Sequence, residues 1–182
     1  MAASLVQRLG SRMAVPKYIE TLLSTTKVLV VDDEVHMRKV IRALLLSLGI
    51  QKIDEAIDGA SGLEAIIASR PDIVIVDWEM PLLSGPEFVR CVRSPETFPL
   101  PDVPIIMLTG HMERKCVIEA IEAGVNEYVC KPVSGKTLLD RILSVRTSPR
   151  PNVKLGNYYG PTPRKFVTDM PVVDTPGALT WV

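Results

Sequence analysis

The sequence contains few aromatic residues, few cysteines and few histidines. Aromatic residues make up only 5% of the 182 residues, and there are three cysteines and two histidines. Cys91, Cys116 and Cys130 show no CxxC or CxxH spacing, which argues against a zinc site. An odd number of cysteines without a secretory signal is typical of reduced thiols, so we expect a cytoplasmic protein.

Long apolar runs and strong charge of one sign are also missing. No stretch approaches the roughly 20 apolar residues that a membrane span needs, and no signal-like apolar run follows Arg8 and Arg12. The chain is formally neutral, and the small basic excesses at its two ends are scattered. This charge pattern disfavours direct nucleic-acid binding, and the length suits one domain with some extra chain.

What the sequence does have is Val, Ile and Leu in short runs that alternate with helical patterns. Strands buried on both faces are apolar without interruption, whereas a helix repeats its apolar residues every three or four positions. The segments that we predict as strands are 27–31, 52–56 (the weakest), 73–76, 103–108 and 127–130. Those that we predict as helices are 37–48, 59–69, 86–92, 113–123 and 136–145. The alternation predicts an α/β, doubly wound, five-stranded parallel sheet with helices on both faces.

The pattern divides the chain into three parts. Residues 1–26 form an N-terminal extension, 27–147 the α/β domain, and 148–182 a Pro-rich C-terminal tail with six of the fifteen prolines and no sustained period. Within the extension, a short helix over residues 2–9 and disorder fit the sequence equally well.

Polar side chains stand at the carboxyl ends of four predicted strands. Asp32 and Asp33 follow the first strand, Asp77 the third, Thr109 the fourth and Lys131 the fifth. The working site of an open parallel sheet lies at these strand ends. Each residue alone is typical of a turn or a helix N-cap. Together, in this chain order, they favour one functional site.

Such a set of side chains suits phosphoryl transfer. Clustered carboxylates repel one another unless a cation lies among them. Mg²⁺ typically combines one or two carboxylates with waters and phosphate oxygens. With the charge so balanced, Asp77 could attack as a carboxylate nucleophile, while Lys131 and Thr109 hold phosphoryl oxygens.

At these residues the chain resembles a known family, the CheY-like receivers of bacterial response regulators. The resemblance covers about residues 27–147. It implies the flavodoxin-like strand order 2-1-3-4-5 for the sheet. The motifs that carry it are VLVVDDE at 28–34, IVIVDWEMPLLSG at 73–85, PIIMLTG at 104–110 and AGVNEYVCKP at 123–132.

The resemblance implies how the acidic residues divide their roles. Asp77 is the phospho-acceptor, and Asp32 and Asp33 are the acidic pair that binds Mg²⁺, with Asp33 favoured as the direct ligand. The backbone carbonyl of Glu79 completes the metal ligands of the protein. The Glu79 carboxylate either forms a salt bridge with Lys131 in the unphosphorylated state or is a solvated loop group.

The resemblance also implies the residues that read the phosphoryl group. Thr109 and Lys131 bind it, and the Lys131–Pro132 peptide bond is cis. Tyr128 falls at the aromatic switch position and turns inward when Thr109 moves toward the phosphate. His111 either screens the phosphoryl group from water or is a solvated loop residue.

A stand-alone response regulator is the function that these motifs imply. It would accept a phosphoryl group from a sensor histidine kinase or a histidine phosphotransfer protein and present a switched surface to a downstream protein target. It would not be an enzyme, apart from Mg²⁺-assisted self-phosphorylation and self-dephosphorylation. No membrane or nucleic-acid partner is expected.

Two other functions compete with this one. A pseudo-receiver would bind partners without being phosphorylated, although the intact site residues disfavour it. A haloacid-dehalogenase-like phosphatase also uses an aspartyl phosphate, and Asp77-Trp78-Glu79 weakly resembles its D-x-D signature. That family begins with its nucleophile and ends with its acidic pair, the reverse of the order seen here.

The tail supplies a last expectation. Residues 157–161, Asn-Tyr-Tyr-Gly-Pro, precede Arg164 and Lys165 and resemble the tails of some proteobacterial stand-alone receivers. With Tyr158, Tyr159 and Phe166 as apolar anchors, the tail would help to dock a partner. An ordinary disordered tail fits equally well.

Overall fold

A computed structural model describes residues 16–110 and 114–162 of the chain. Strands and helices alternate through most of this part. The strands are β1 (Lys27–Val31), β2 (Lys52–Ala56), β3 (Ile73–Asp77), β4 (Ile105–Thr109), β5 (Glu127–Cys130), β6 (Asn152–Leu155) and β7 (Tyr158–Pro161). The helices are α1 (Lys17–Thr25), α2 (Val35–Ser47), α3 (Gly59–Ser69), α4 (Gly85–Val92), α5 (Arg114–Ala123) and α6 (Gly135–Thr147).

The first five strands form one parallel sheet in the order β2-β1-β3-β4-β5. This confirms the predicted fold class and strand order. The three central strands are buried on both faces because their residues are apolar without interruption. Within the described residues, no helix is both long and apolar enough to cross a membrane.

Helices cover the sheet on two sides and create two apolar cores. One core lies under α3, α4 and α5 and has Phe88, Val89 and Met107 at its centre. The other lies under α1, α2 and α6, where Ile41, Leu45 and Ile142 are fully buried. The doubly wound arrangement therefore leaves the carboxyl ends of the strands open between the two helical layers.

The N-terminal extension contains a helix that sequence patterning missed. Helix α1 buries Ile19 and Leu23 in the second core, directly before β1. Two buried positions in a helix of this length form a stripe too short to stand out in the sequence. The short helix considered over residues 2–9 lies outside the described residues.

The tail differs from the irregular segment expected. Strands β6 and β7 form an antiparallel hairpin that turns at Gly156–Asn157. A Gly-Asn pair between two short strands is a hairpin signal, but the surrounding prolines masked it. The remainder of the tail, with Arg164, Lys165 and Phe166, lies outside the described residues.

The hairpin packs on the domain through the close approach of two glycines. A Cβ added at Gly124 would lie 2.9 Å from the Tyr159 carbonyl oxygen, and one at Gly160 would lie 2.9 Å from the Gly124 Cα. Asp102 accepts hydrogen bonds of 2.6 Å from both the Tyr159 hydroxyl and the Asn152 side chain. The hairpin is therefore an integral part of the domain's packing.

Arg93, which follows α4, joins the segments beneath the hairpin. This buried guanidinium donates to the carbonyls of Gly124 (2.9 Å), Val103 (2.8 Å) and Pro101, and to the Asn126 side chain (2.9 Å). Burial lowers the pKa of Arg93 to about 10, so the group stays charged at neutral pH. Arg93 thus donates to buried acceptors in loops, which lie outside the regular backbone hydrogen bonds of the strands and helices.

Replacing Arg93 with Met should lower the free energy of unfolding by about 2–4 kcal/mol, because several buried acceptors lose their donor at once. The matched control is Arg90→Met, three residues earlier on α4, since Arg90 forms a half-exposed ion pair with Glu119 at 3.6 Å. It should change the stability by less than about 1 kcal/mol. Urea unfolding measures both variants, and equal losses would contradict this role of Arg93.

Candidate functional site

The carboxyl ends of four strands bring the predicted site residues to one edge of the sheet. Asp32 directly follows β1, Asp77 ends β3, Thr109 ends β4 and Lys131 follows β5. Apolar side chains fill most of β1, β3 and β4, and the first polar side chains after the strands emerge within two residues of the same level in neighbouring parallel strands.

Three carboxylates form the centre of the site. Asp32, Asp33 and Asp77 each offer an oxygen, and the three oxygens lie within 4.8 Å of one another. Asp32 is fully buried and Asp77 is only 4% exposed, whereas Asp33 faces solvent. Two charges are thus held away from water, and one is open to approach from outside.

Lys131 provides the compensating positive charge. Its Nζ lies 2.8 Å from Asp77 Oδ1 and 3.8 Å from Asp32 Oδ2. The Trp78 backbone N–H also donates to Asp77 Oδ1, at 2.8 Å. Burial raises the pKa of Asp77, and Lys131 and the Trp78 N–H oppose that rise. The lysine therefore helps to keep a buried carboxylate ionised.

Asp32 remains short of stabilising partners. Its Oδ1 accepts a hydrogen bond of 2.8 Å from the Glu34 N–H, but its buried Oδ2 finds no hydrogen-bond partner among residues 16–110 and 114–162. Burial first, and the nearby Asp77 charge second, raise the pKa of Asp32 to about 6. A buried carboxylate oxygen that lacks a hydrogen-bond donor and lies beside two further carboxylates belongs to a donor set that fits a hard divalent cation such as Mg²⁺.

Arg38 fixes the acidic turn from behind and was missed by sequence reasoning. This buried side chain donates from Nη1 to the carbonyls of Asp32 (2.7 Å) and Asp33 (3.2 Å). Its Nε lies 3.4 Å from Glu55 Oε2. The available signal was its position on the stripe of α2 that also buries Ile41 and Leu45.

Gly85 allows helix α4 to begin close behind Asp77. A Cβ added there would lie 2.3 Å from the Asp77 carbonyl oxygen and 2.9 Å from the Trp78 Cα, distances that real Cβ atoms do not tolerate. The Gly85 N–H donates to the Trp78 carbonyl at 2.8 Å. The lack of a side chain at this position thus allows the loop after Asp77 to pack directly against the start of the helix.

Thr109 and Tyr128 form the far side of the site. Thr109 is fully buried, and its carbonyl accepts a hydrogen bond of 2.7 Å from the Lys131 N–H. Burial raises the pKa of Tyr128, and a side-chain hydrogen bond with Thr109 opposes the rise. The predicted switch pair is therefore in contact. The Lys131–Pro132 peptide bond is cis, as the resemblance implies.

The exposed rim of the site is a shallow groove beside Asp33. Trp78, Glu79, Met80, Pro81 and Ser84 line it together with Asp33. Glu79 is exposed on this rim, and the metal-binding role of its backbone carbonyl stays a prediction. His111 lies outside the described residues.

The pKa of Asp32 makes the stability of the metal-free protein depend on pH. The unfolded chain loses this proton near 3.8 and the folded chain near 6. Raising the pH across that interval therefore lowers the free energy of unfolding, by up to about 3 kcal/mol from this group. Urea unfolding of the metal-free wild type and of Asp32→Asn should differ in slope over the interval. If the free energies of unfolding of the two proteins changed in parallel with pH, the raised pKa of Asp32 would be contradicted.

Comparison with known proteins agrees with this geometry. The family model described as "Response regulator receiver domain" matches residues 28–143. The chemotaxis protein CheY of Pseudomonas aeruginosa is 39% identical over 116 residues, which cover 64% of this chain and 92% of that protein. CheY-3 of Vibrio cholerae is 36% identical over 116 residues, covering 64% of this chain and 88% of its own length.

Solved structures give the same result. The chemotaxis protein CheY4 of Vibrio cholerae superposes with a TM-score of 0.59 at 32% identity, covering 66% of this chain and 98% of its own. The receiver domain of a Pseudomonas aeruginosa sensor histidine kinase, described with a magnesium ion coordinated in its active-site cleft, gives 0.58 at 30% identity, covering 66% and 96%. Receiver domains typically bind Mg²⁺ at an acidic pocket and are not classical enzymes. The chain belongs to the response regulator receiver domain family of two-component signalling.

Proposed function

We propose that this receiver accepts a phosphoryl group on Asp77 and thereby switches a surface that a partner protein recognises. The observation that carries the proposal is the position of Asp77. Its carboxylate is buried among Asp32, Asp33 and Lys131, with the lysine Nζ 2.8 Å from Oδ1. A buried carboxylate whose charge is balanced by a neighbouring ammonium is suited to act as a nucleophile.

Among the described residues, the Lys131 ammonium and the Trp78 N–H both contact Oδ1 of the Asp77 carboxylate. Oδ2 is therefore the oxygen proposed to attack. With a phosphohistidine donor, an Oδ2–P bond forms as the P–N bond breaks. The electron pair of that bond returns to the imidazole nitrogen, which takes up a proton. The proposed donor is a sensor histidine kinase or a histidine phosphotransfer protein.

Asp32, Asp33 and Asp77 are the side chains proposed to hold Mg²⁺, together with the Glu79 carbonyl. When bound, the ion would offset the negative charge that accumulates on the transferring phosphoryl group. Asp32 Oδ2 supports this assignment, because it has only the distant Lys131 charge at 3.8 Å and no hydrogen-bond donor among the described residues, so that an additional cation would satisfy it. Exposed Asp33 stands where an ion entering from solvent would first meet a carboxylate.

Lys131 and Thr109 are proposed to recognise the phosphoryl group once it is attached. Phosphorylation of Asp77 removes the carboxylate charge that now pairs with Lys131, and the lysine can then pair with a phosphoryl oxygen instead. Thr109 can donate its hydroxyl hydrogen to another phosphoryl oxygen, which would draw away the hydroxyl group that is now hydrogen-bonded to Tyr128. This exchange of partners would connect the chemistry to the aromatic switch.

Replacing Asp77 with Asn should abolish Mg²⁺-dependent labelling by acetyl phosphate, because the near-isosteric amide removes the nucleophile and leaves the fold intact. Intact-mass analysis detects the added phosphoryl group. The matched control is Asp54→Asn on β2, where the carboxylate pairs with Lys27 at 3.1 Å outside the site. It should label like the wild type.

The same experiment separates the competing functions. A pseudo-receiver would leave the wild type unlabelled. A haloacid-dehalogenase-like phosphatase would turn over small phosphomonoesters continuously in an assay run alongside. Either result, or stable labelling of Asp77→Asn, would contradict the proposal.

Replacing Thr109 with Val should uncouple Tyr128 from the site, because the isosteric side chain cannot hydrogen-bond either the tyrosine or a phosphoryl group. In the wild type, loading with beryllofluoride and Mg²⁺ should change the NMR signals of Tyr128 and of β5. In Thr109→Val the change at Tyr128 should be largely lost.

Thr97→Val is the control for that experiment, since Thr97 is exposed in the connection after α4. It should respond like the wild type. An undiminished Tyr128 response in Thr109→Val would show that the switch does not pass through this hydroxyl.

A further inference from the structure

An apolar groove lies between α5 and β5, on the face that carries Tyr128. Val117 and Ile121 of α5 line one wall, and Tyr128 of β5 lines the other. Val125 and Arg150 close the end next to the start of β5. The groove thus runs from the switch residue to the segment that leads into the C-terminal hairpin.

The described chain leaves the domain at the closed end of this groove. Arg150 donates from Nη1 to the Thr162 carbonyl at 2.6 Å and from Nη2 to the Asn126 carbonyl. Asn126 directly precedes β5, and it also lines the groove. The guanidinium therefore fixes Thr162, the last described residue, beside the groove.

The segment that follows Thr162 has the length and composition to fill the groove. From Asn126 to Tyr128 is two residues of strand, or about 7 Å, and from Ile121 to Val117 is one helical turn, or about 6 Å. The chain continues Pro-Arg-Lys-Phe-Val from residue 163. Phe166 lies four residues beyond Thr162, and four extended residues reach up to roughly 14 Å. An aromatic side chain is thus available within reach of the whole groove.

We propose that residues 163–167 of this chain occupy the α5–β5 groove, with the Phe166 ring between Ile121 and Tyr128. Attachment at Thr162 gives the segment a high effective concentration at the groove, which favours it over a separate molecule. The docked segment covers the surface next to Tyr128. A protein that binds this surface must displace it, so the tail acts as a competitor built into the chain.

Fluorine NMR of the full chain labelled with para-fluorophenylalanine tests this docking without any phosphodonor. The sequence has three phenylalanines, and Phe88 and Phe98 are buried in the first core. Phe166→Leu assigns the third signal. In the wild type we expect the Phe166 signal to be displaced from its free-peptide position, with a solvent isotope shift as small as those of the two core residues.

Two glutamate substitutions on α5 form a matched pair. Ile121→Glu, in the groove, should return the Phe166 signal to its free-peptide position. Ile118→Glu, on the same helix at 36% exposure and outside the groove lining, should leave it in place. The Phe88 and Phe98 signals report in the same spectra whether each variant is folded. Ile121→Ala gives a milder test if glutamate disturbs them.

Three results would overturn the proposal. The first is a solvent-exposed Phe166 in the wild type. The second is a Phe166 signal that does not change in Ile121→Glu although the Phe88 and Phe98 signals show that the variant is folded. If glutamate unfolds the chain, the same criterion applies to Ile121→Ala. The third is a displaced signal that reverts on dilution, which would assign the groove to a second copy of the chain.

Discussion

Charge balance among buried carboxylates is the constraint on which the rest of the site depends. Asp32 and Asp77 lie at the ends of adjacent strands, and burial raises the pKa of both. Lys131 contacts Asp77 closely but remains 3.8 Å from Asp32 Oδ2. Within the described residues, the fold therefore delivers one ammonium to two buried carboxylates and leaves a deficit of positive charge that a divalent cation can fill.

The surrounding structure maintains this unfavourable arrangement. Arg38 ties down the carbonyls of the acidic turn, and Gly85 lets α4 begin directly against the loop after Asp77. Both residues therefore contact the backbone of the acidic residues themselves. Functional groups held in costly positions by otherwise ordinary packing are typical of binding sites.

The sequence was informative wherever a single physical signal dominated. Continuous apolar runs predicted the central strands, and the polar residues directly after them predicted which side chains meet. Arg38 and Arg93 were missed because a charged residue is usually expected to be exposed, although Arg38 donates to two backbone carbonyls and Arg93 to three inside the fold. Helix α1 and the hairpin of β6 and β7 were missed because each is short and is buried only through tertiary contacts that local pattern does not encode.

A Mg²⁺ titration in which Trp78 fluorescence is the readout tests most directly whether the acidic cluster binds a cation. Trp78 lines the rim with Asp33, and Trp181→Phe removes the second of the two tryptophans. Above pH 6 the titration should saturate, and below pH 6 the affinity should fall, because Asp32 then holds a proton. A titration without saturation, or an affinity that does not change across this pH, would contradict the account.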